Sequence, residues 1–298
     1  MFDHRLITVA TRIQSLLEEV LSLTPLEDEI TRPERLLLAM RHAVLNGGKR
    51  LRPFLVVESA RLFDADEEAA LRVGAALECL HCYSLVHDDL PAMDNDDLRR
   101  GQPTVHVAYD EATAILAGDS LLTFAFDMIA APETRLQETA KLALVLALAR
   151  AAGLGGMAGG QMLDLEAEKN PPDETGIVTL QAMKTGALLR FACEAGPIMA
   201  GAPAADRARM RQFGEIIGRA FQLADDLLDL TADSATLGKA TGKDAGRGKG
   251  TLPALKGQDW AESELDRLVD QAVAVLAPYG DKASILAETA RFIANRTH

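Results

Sequence analysis

Apolar side chains recur at three- and four-residue steps along most of this chain. Leu6, Val9, Ile13, Leu16, Leu17 and Val20 form one such stripe, the period of an amphipathic helix. The same period predicts helices over 34–45, 67–87, 112–130, 139–152, 180–195, 205–230 and 262–276. Breakers separate them: Gly47-Gly48, Pro132, the glycines at 153–156, Pro171-Pro172, Pro197, Pro203, the glycine-rich stretch 238–250 and Pro278. Period-two alternation closed by Asn-Gly or Asp-Gly is missing, so hairpins are not expected. No break is long enough for a domain linker, and no internal repeat is visible. The pattern predicts one all-α domain over 1–298 with ten or more helices.

Some of these segments, 139–152 and 180–195 among them, carry few charges and are apolar on more than one side. Such helices belong in the middle of a bundle or in a subunit interface. Apolar residues make up 48% of the 298, which supplies a sizeable core. With 31 basic and 44 acidic side chains the formal charge is −13. An acidic surface repels phosphate backbones and anionic bilayers, so nucleic acid and stable membrane association are not expected partners. The longest clean apolar run, 142–149, is closed by Lys141 and Arg150 and is too short to span a bilayer. The first residues, MFDHRLITVATRIQ, lack a secretory apolar core. Cys79, Cys82 and Cys193 are too few for a disulfide framework and suit the cytoplasm. Cys79 and Cys82 form a lone C-x-x-C without a second ligand pair, which reads as helix packing.

Two aspartate clusters carry the chemistry. One follows an apolar helical stretch as His87-Asp88-Asp89-Leu90-Pro91-Ala92-Met93-Asp94; the other reads Phe221-Gln222-Leu223-Ala224-Asp225-Asp226-Leu227-Leu228-Asp229. Asp225 and Asp229 are i and i+4, on one helical face, where like charges repel unless a cation sits between them. Asp88 and Asp94 lie well off one face on a straight helix, and Pro91 predicts a break that lets Asp94 fold back. Both sets offer only oxygen, the donor that hard cations take. The cations of this acidic chain gather beside glycines: Lys49, Arg50 and Arg52 after Gly47-Gly48, then Arg99-Arg100, Lys184, and Lys239, Lys243, Arg247 and Lys249. Glycine admits backbone amides to a phosphate, Arg grips it bidentately and Lys adds a point charge. Carboxylates, magnesium and basic residues together describe a diphosphate site. No nucleotide phosphate-loop motif is present.

These stretches resemble the trans-polyprenyl diphosphate synthases, and among them the bacterial short-chain synthases. The resemblance rests on Gly47-Gly48-Lys49-Arg50-Leu51-Arg52-Pro53, the block 88–100, Gly101-Gln102-Pro103-Thr104, Gly159-Gly160-Gln161 with Asp164, Lys184-Thr185-Gly186, the block 221–229, and Gly238-Lys239 with Gly242-Lys243-Asp244. It covers nearly the whole chain; Arg247 departs from it, standing where small residues are usual. It implies helices around a central apolar cavity, a homodimer, and isoprenoid diphosphates as substrates. Asp88, Asp94 and Asp225, supported by Asp89, Asp226 and Asp229, would hold about three magnesium ions on an allylic diphosphate. Arg99, Lys184 and Lys239 would grip that diphosphate. Lys49, Arg52, His81 and Arg100 would hold isopentenyl diphosphate, and Thr185 and Gln222 would face the allylic cation. Tyr83, five residues before Asp88, would be the floor that stops the product at fifteen carbons.

The expected reaction is condensation of isopentenyl diphosphate with dimethylallyl and geranyl diphosphate to the fifteen-carbon product. A ten- or twenty-carbon synthase is the near alternative. A terpene cyclase would have no use for the second set of cations, and a non-catalytic regulatory subunit should have lost one aspartate motif. Other residues have plainer readings: Phe124, Phe126 and Met128 as core, Asp119 as a hydrogen-bonding residue, Gln161 and Asp164 as magnesium support or a helix cap. The last residues, Asn295 to His298, either close over a diphosphate or fray.

Overall fold

The computed structural model describes residues 2–235 and 251–295, the side chains of 231–235 excepted. Its regular structure is helical save for one minimal hairpin. The chain groups into two compact units, Met1–Val145 and Leu146–His298.

The first unit carries α1 (Phe2–Val20), α2 (Glu34–Leu45), α3 (Leu51–Leu62), α4 (Glu67–Asp88), the single turn α5 (Val105–Ala108), α6 (Glu111–Ala130) and the start of α7 (Glu138–Ala152). α4 opens on Asp66, whose side chain accepts from the Ala69 amide at 2.7 Å, a cap worth about 1 kcal/mol. Its next three turns are buried on every side, against α3 and α6 chiefly. A helix apolar all round must lie inside its unit, and this one delivers Asp88 at its last position.

The second unit holds the rest of α7, then α8 (Met157–Ala167), α9 (Glu174–Gln181), a π-helical turn (Ala182–Gly186) and α10 (Ala187–Met199). After them come α11 (Ala204–Ala235), α12 (Leu252–Lys256), α13 (Gln258–Leu276), a 3₁₀ segment (Ala277–Ala283) and α14 (Ser284–Ala294). α10 is buried along its length and lies on α11, which α13 and α14 also flank.

The structure departs from the sequence pattern in several places. α10 runs through Pro197 to Met199, although Pro197 was expected to break it. Only two helical residues follow the proline, so one main-chain hydrogen bond near the end is lost and the packing around the helix tolerates it. A hairpin does exist: Leu98–Arg99 pairs antiparallel with Gln102–Pro103. Its turn places Arg100 and Gly101 at φ +53° and +75°, the sign pattern of a type I′ turn without the usual Asn or Asp. Phe124 and Phe126 are half-buried, and only Met128 is core; the Arg32 guanidinium lies 5.9 Å from the Phe124 ring. Three stretches, Glu67–Asp88, Glu111–Ala130 and Glu138–Ala167, are long and apolar enough to cross a bilayer by length and composition, correcting the expectation that none is. That expectation ended each run at its first charge, whereas mean hydropathy tolerates one or two.

Candidate active site

The first unit brings one carboxylate set and one cationic set onto the two ends of short segments. α4 stops at Asp88, and Asp89 is its C-cap. The chain then turns at Leu90-Pro91: the Met93 amide donates to the Leu90 carbonyl at 2.9 Å and the Asp94 amide to the Asp88 carbonyl at 2.8 Å. Pro91 therefore does what its missing amide predicts, and Asp94 comes back onto Asp88. Both residues are half-buried and offer oxygen alone, a donor set that fits a hard divalent cation. Asp89 is different. It is buried, and Arg99 donates to both of its oxygens at 2.8 and 2.9 Å through Nε, with Nη2 at 2.6 Å. Burial raises its carboxyl above the ordinary value, with the Arg99 hydrogen bonds opposing. Asp89 and Arg99 are thus committed to each other, an arrangement that reading one as metal support and the other as diphosphate grip did not include.

The cationic set gathers around Gly47 and Gly48. The Arg100 guanidinium donates to the Gly47 carbonyl and fills the place of a side chain at Gly48, where a Cβ would stand 2.7 Å from Nη1. Arg52, in the first turn of α3, has Nη1 3.3 Å from His81 Nε2 on α4. Burial, with Arg52 and Arg100 beside it, holds the His81 ring well below the ordinary imidazole range, so it faces Arg52 as a neutral acceptor. Lys49 is exposed on the same loop. His81, Arg52 and Arg100 are thus brought together beside the Gly47-Gly48 loop.

Tyr83 is half-buried on α4. Its ring meets the His87 ring edge to face at 5.7 Å between centroids. Burial, then Asp88, raises its hydroxyl. His87 Nε2 lies 3.0 Å from the Ile115 carbonyl, and the ring occupies the notch left by Gly118 on α6, where a Cβ would come within 2.1 Å. Asp119 approaches His87 at 3.9 Å, beyond hydrogen-bond distance.

In the second unit the π turn does the positioning. Lys184 sits in it and donates to Asp164 Oδ2 on α8 at 2.6 Å. α8 can approach because residue 160 is glycine: a Cβ there would lie 2.2 Å from the Lys184 nitrogen. Asp164, read as a cap or metal support, is a buried partner of Lys184. Thr185 donates to Gln222 Oε1 at 3.0 Å, and Gln222 Nε2 donates to Asp226 Oδ1 at 3.0 Å. Gln181 Nε2 donates to the other Asp226 oxygen at 2.9 Å. Asp226 is buried, and burial raises its carboxyl to about 6 against the two amides. Asp225 and Asp229 share the neighbouring face of α11, one turn apart, the second more exposed. Lys239, Lys243, Arg247 and Lys249 lie outside the described residues, as do residues 296–298.

The thiols are bystanders. Cys79, Cys82 and Cys193 are free and buried, and burial raises Cys82 to about 12.

Comparison with known proteins agrees with this chemistry. Residues 33–283 match the polyprenyl synthetase family model. The chain is 45% identical over 239 residues to the farnesyl diphosphate synthase of Escherichia coli, spanning 78% of this chain and 79% of that one. It is 41% identical to geranylgeranyl pyrophosphate synthase 9 of Arabidopsis thaliana, over 87% and 73%. The crystal structure of an FPP/GFPP synthase from Zymomonas mobilis superposes with a TM-score of 0.88 at 44% identity, covering 98% of both chains. An all-α fold bearing these motifs is that of a prenyltransferase, an enzyme of prenyl chain elongation. The chain belongs to the polyprenyl synthetase family.

Proposed function

We propose that this enzyme is a magnesium-dependent farnesyl diphosphate synthase, joining isopentenyl diphosphate head-to-tail to dimethylallyl and then geranyl diphosphate. The observation that carries the reading is the division of labour in the first unit. The Asp88–Asp94 turn offers oxygen to a cation, while Arg52, His81 and Arg100 gather separately beside the Gly47-Gly48 loop that carries Lys49. A cyclase has no use for that second anion site.

Magnesium, when bound by Asp88 and Asp94 in the first unit or by Asp225 and Asp229 in the second, would supply charge neutralisation for a leaving diphosphate. The chain's own cations do the rest. Lys184 and Lys239 stabilise charge growing on the leaving group as the allylic carbon–oxygen bond breaks; Arg99, held by Asp89 in the first unit, is assigned the same role. Lys49, Arg52 and Arg100 hold isopentenyl diphosphate so that its double bond reaches the allylic carbon. The new carbon–carbon bond takes that electron pair, and a proton leaves to the departed diphosphate. Thr185 and Gln222 hold oxygen dipoles near the cation.

Asp89 and Asp226 are the supporting members: one holds Arg99, the other holds the amides of Gln181 and Gln222. Tyr83 limits the product to fifteen carbons; the twenty-carbon alternative is kept by the geranylgeranyl synthases among the relatives. The family match over residues 33–283 supports reading 1–298 as one prenyltransferase domain. Exposed Ile115 and Leu116 on α6 and Leu142 and Leu146 on α7 support a homodimer, and the buried free thiols support a cytoplasmic enzyme. The test is turnover by purified protein with magnesium, isopentenyl diphosphate and dimethylallyl diphosphate, the product identified by chromatography. A fifteen-carbon diphosphate is the expected product, and no condensation would end the reading.

A further inference from the structure

Arg50 and Glu78 are a buried ion pair that the reaction just described does not use. Arg50 is 3% exposed and Glu78 2%. Nη1 of Arg50 donates to Glu78 Oε1 at 2.6 Å, and Nη2 donates to the Val44 carbonyl at 2.6 Å and to Gln14 Oε1 at 2.8 Å. One guanidinium therefore ties together α1, the end of α2 and the middle of α4.

Its place in the chain gives this a purpose. Arg50 stands between Lys49 and Arg52, two of the side chains assigned to isopentenyl diphosphate. Its own backbone is left-handed, φ +50°, after Gly47 at +79° and Gly48 at +115°. A residue with a Cβ resists that conformation, so its neighbours must hold it there. Glu78 and His81 are i and i+3 on α4, one helical face, and they receive Arg50 and Arg52, which are i and i+2 on the loop and α3. The two contacts form adjacent rungs between the same pair of segments.

We infer that Glu78 and Arg50 are positioning residues for the isopentenyl diphosphate site: their pairing fixes the left-handed loop so that Lys49, Arg52 and the Gly47 carbonyl that receives Arg100 keep their places. This rests on the reading of that loop as the isopentenyl site. A pair kept only for stability would be replaceable, because a buried ion pair exchanged for apolar side chains is often neutral or stabilising. The same exchange removes a directional constraint on the loop, and small misplacements of binding groups weaken function steeply.

The experiment compares wild type, Glu78→Gln and the double variant Arg50→Met with Glu78→Leu, measuring KM for each substrate separately and the melting temperature. Glu78→Gln keeps size and an acceptor oxygen but loses the charge. Both variants are expected to raise KM for isopentenyl diphosphate roughly tenfold or more, with KM for the allylic diphosphate within about twofold of wild type. The double variant is expected to do so while melting no lower than wild type. A wild-type isopentenyl KM in both variants, or equal rises in both KM values, would overturn the assignment. Absence of condensation in wild type would instead remove the reading of the reaction, leaving the pair structural.

Discussion

The main-chain amide of Asp94 donates a 2.8 Å hydrogen bond to the main-chain carbonyl of Asp88. The seven residues 88–94 are thereby folded into a loop with a carboxylate at each end, and the loop exists because Pro91 will not continue α4. Asp88→Ala should leave the helical circular dichroism of the protein intact and reduce kcat by about 10²–10³ or more, the scale of losing one charge-stabilising group. Asp225→Ala should behave alike. Near-normal turnover of both variants in excess magnesium would remove the carboxylates from the reaction.

Asp164 holds Lys184 at 2.6 Å across a contact that only glycine at 160 permits. Gly160→Ala should force α8 from the π turn, an overpacking cost of about 1–3 kcal/mol. The melting temperature should fall by roughly 2–4 °C per kcal/mol, and activity should drop further than Asp164→Asn drops it. Unchanged melting and kinetics in Gly160→Ala would mean that the two segments do not meet as described.

Tyr83 leans on His87, and His87 sits in the notch of Gly118. Tyr83→Ala should lengthen the product to twenty carbons and beyond, whereas Tyr83→Phe keeps the ring and should still stop at fifteen. Gly118→Ala displaces the imidazole and should loosen the same floor, giving mixed lengths with a lower melting temperature. An alanine at 83 that turns over to the fifteen-carbon product alone would show that the floor lies elsewhere.

His81 titrates well below the ordinary imidazole value, through burial and the guanidinium groups of Arg52, Arg100, Arg99 and Arg50. In the unfolded chain it titrates near ~6.5. Between those two values the unfolded state binds the extra proton, so stability rises with pH through the window and levels off above ~6.5. His81→Gln should flatten the rise of melting temperature between about pH 5 and that point. An identical slope in wild type and variant would assign the rise to other groups.

The fold was legible where one residue class repeats. The stripes over 34–45 and 139–152 gave α2 and α7 to within one residue, because burial on a face leaves a periodic trace. α3 was hidden since all its faces are buried and its first turn carries the basic residues. α8 was hidden by its glycines, which break helices on average and here admit Lys184. The site was legible in its acidic and basic residue types, but not in who pairs with whom. Nothing local says that Asp89 takes Arg99, or that Glu78 takes Arg50 from 28 residues away. The hairpin at Arg100-Gly101 carried the one cue available, a glycine after a charged residue, which is too common to use alone.

The π turn at Ala182–Gly186 joins α9 and α10 into one rod that holds a residue more than α-helical winding requires. That surplus is an angular offset: side chains before it point about 100° away from where an unbroken helix would send them relative to those after it. Lys184, Thr185 and the Gln181 that holds Asp226 all lie on or beside the offset. Deleting a single residue from the turn would remove no chemistry by itself, yet it would re-phase the rod and leave either the lysine or the buried face of α10 misdirected. Length, counted in single residues, is therefore as heritable a part of this half of the enzyme as any side chain it carries.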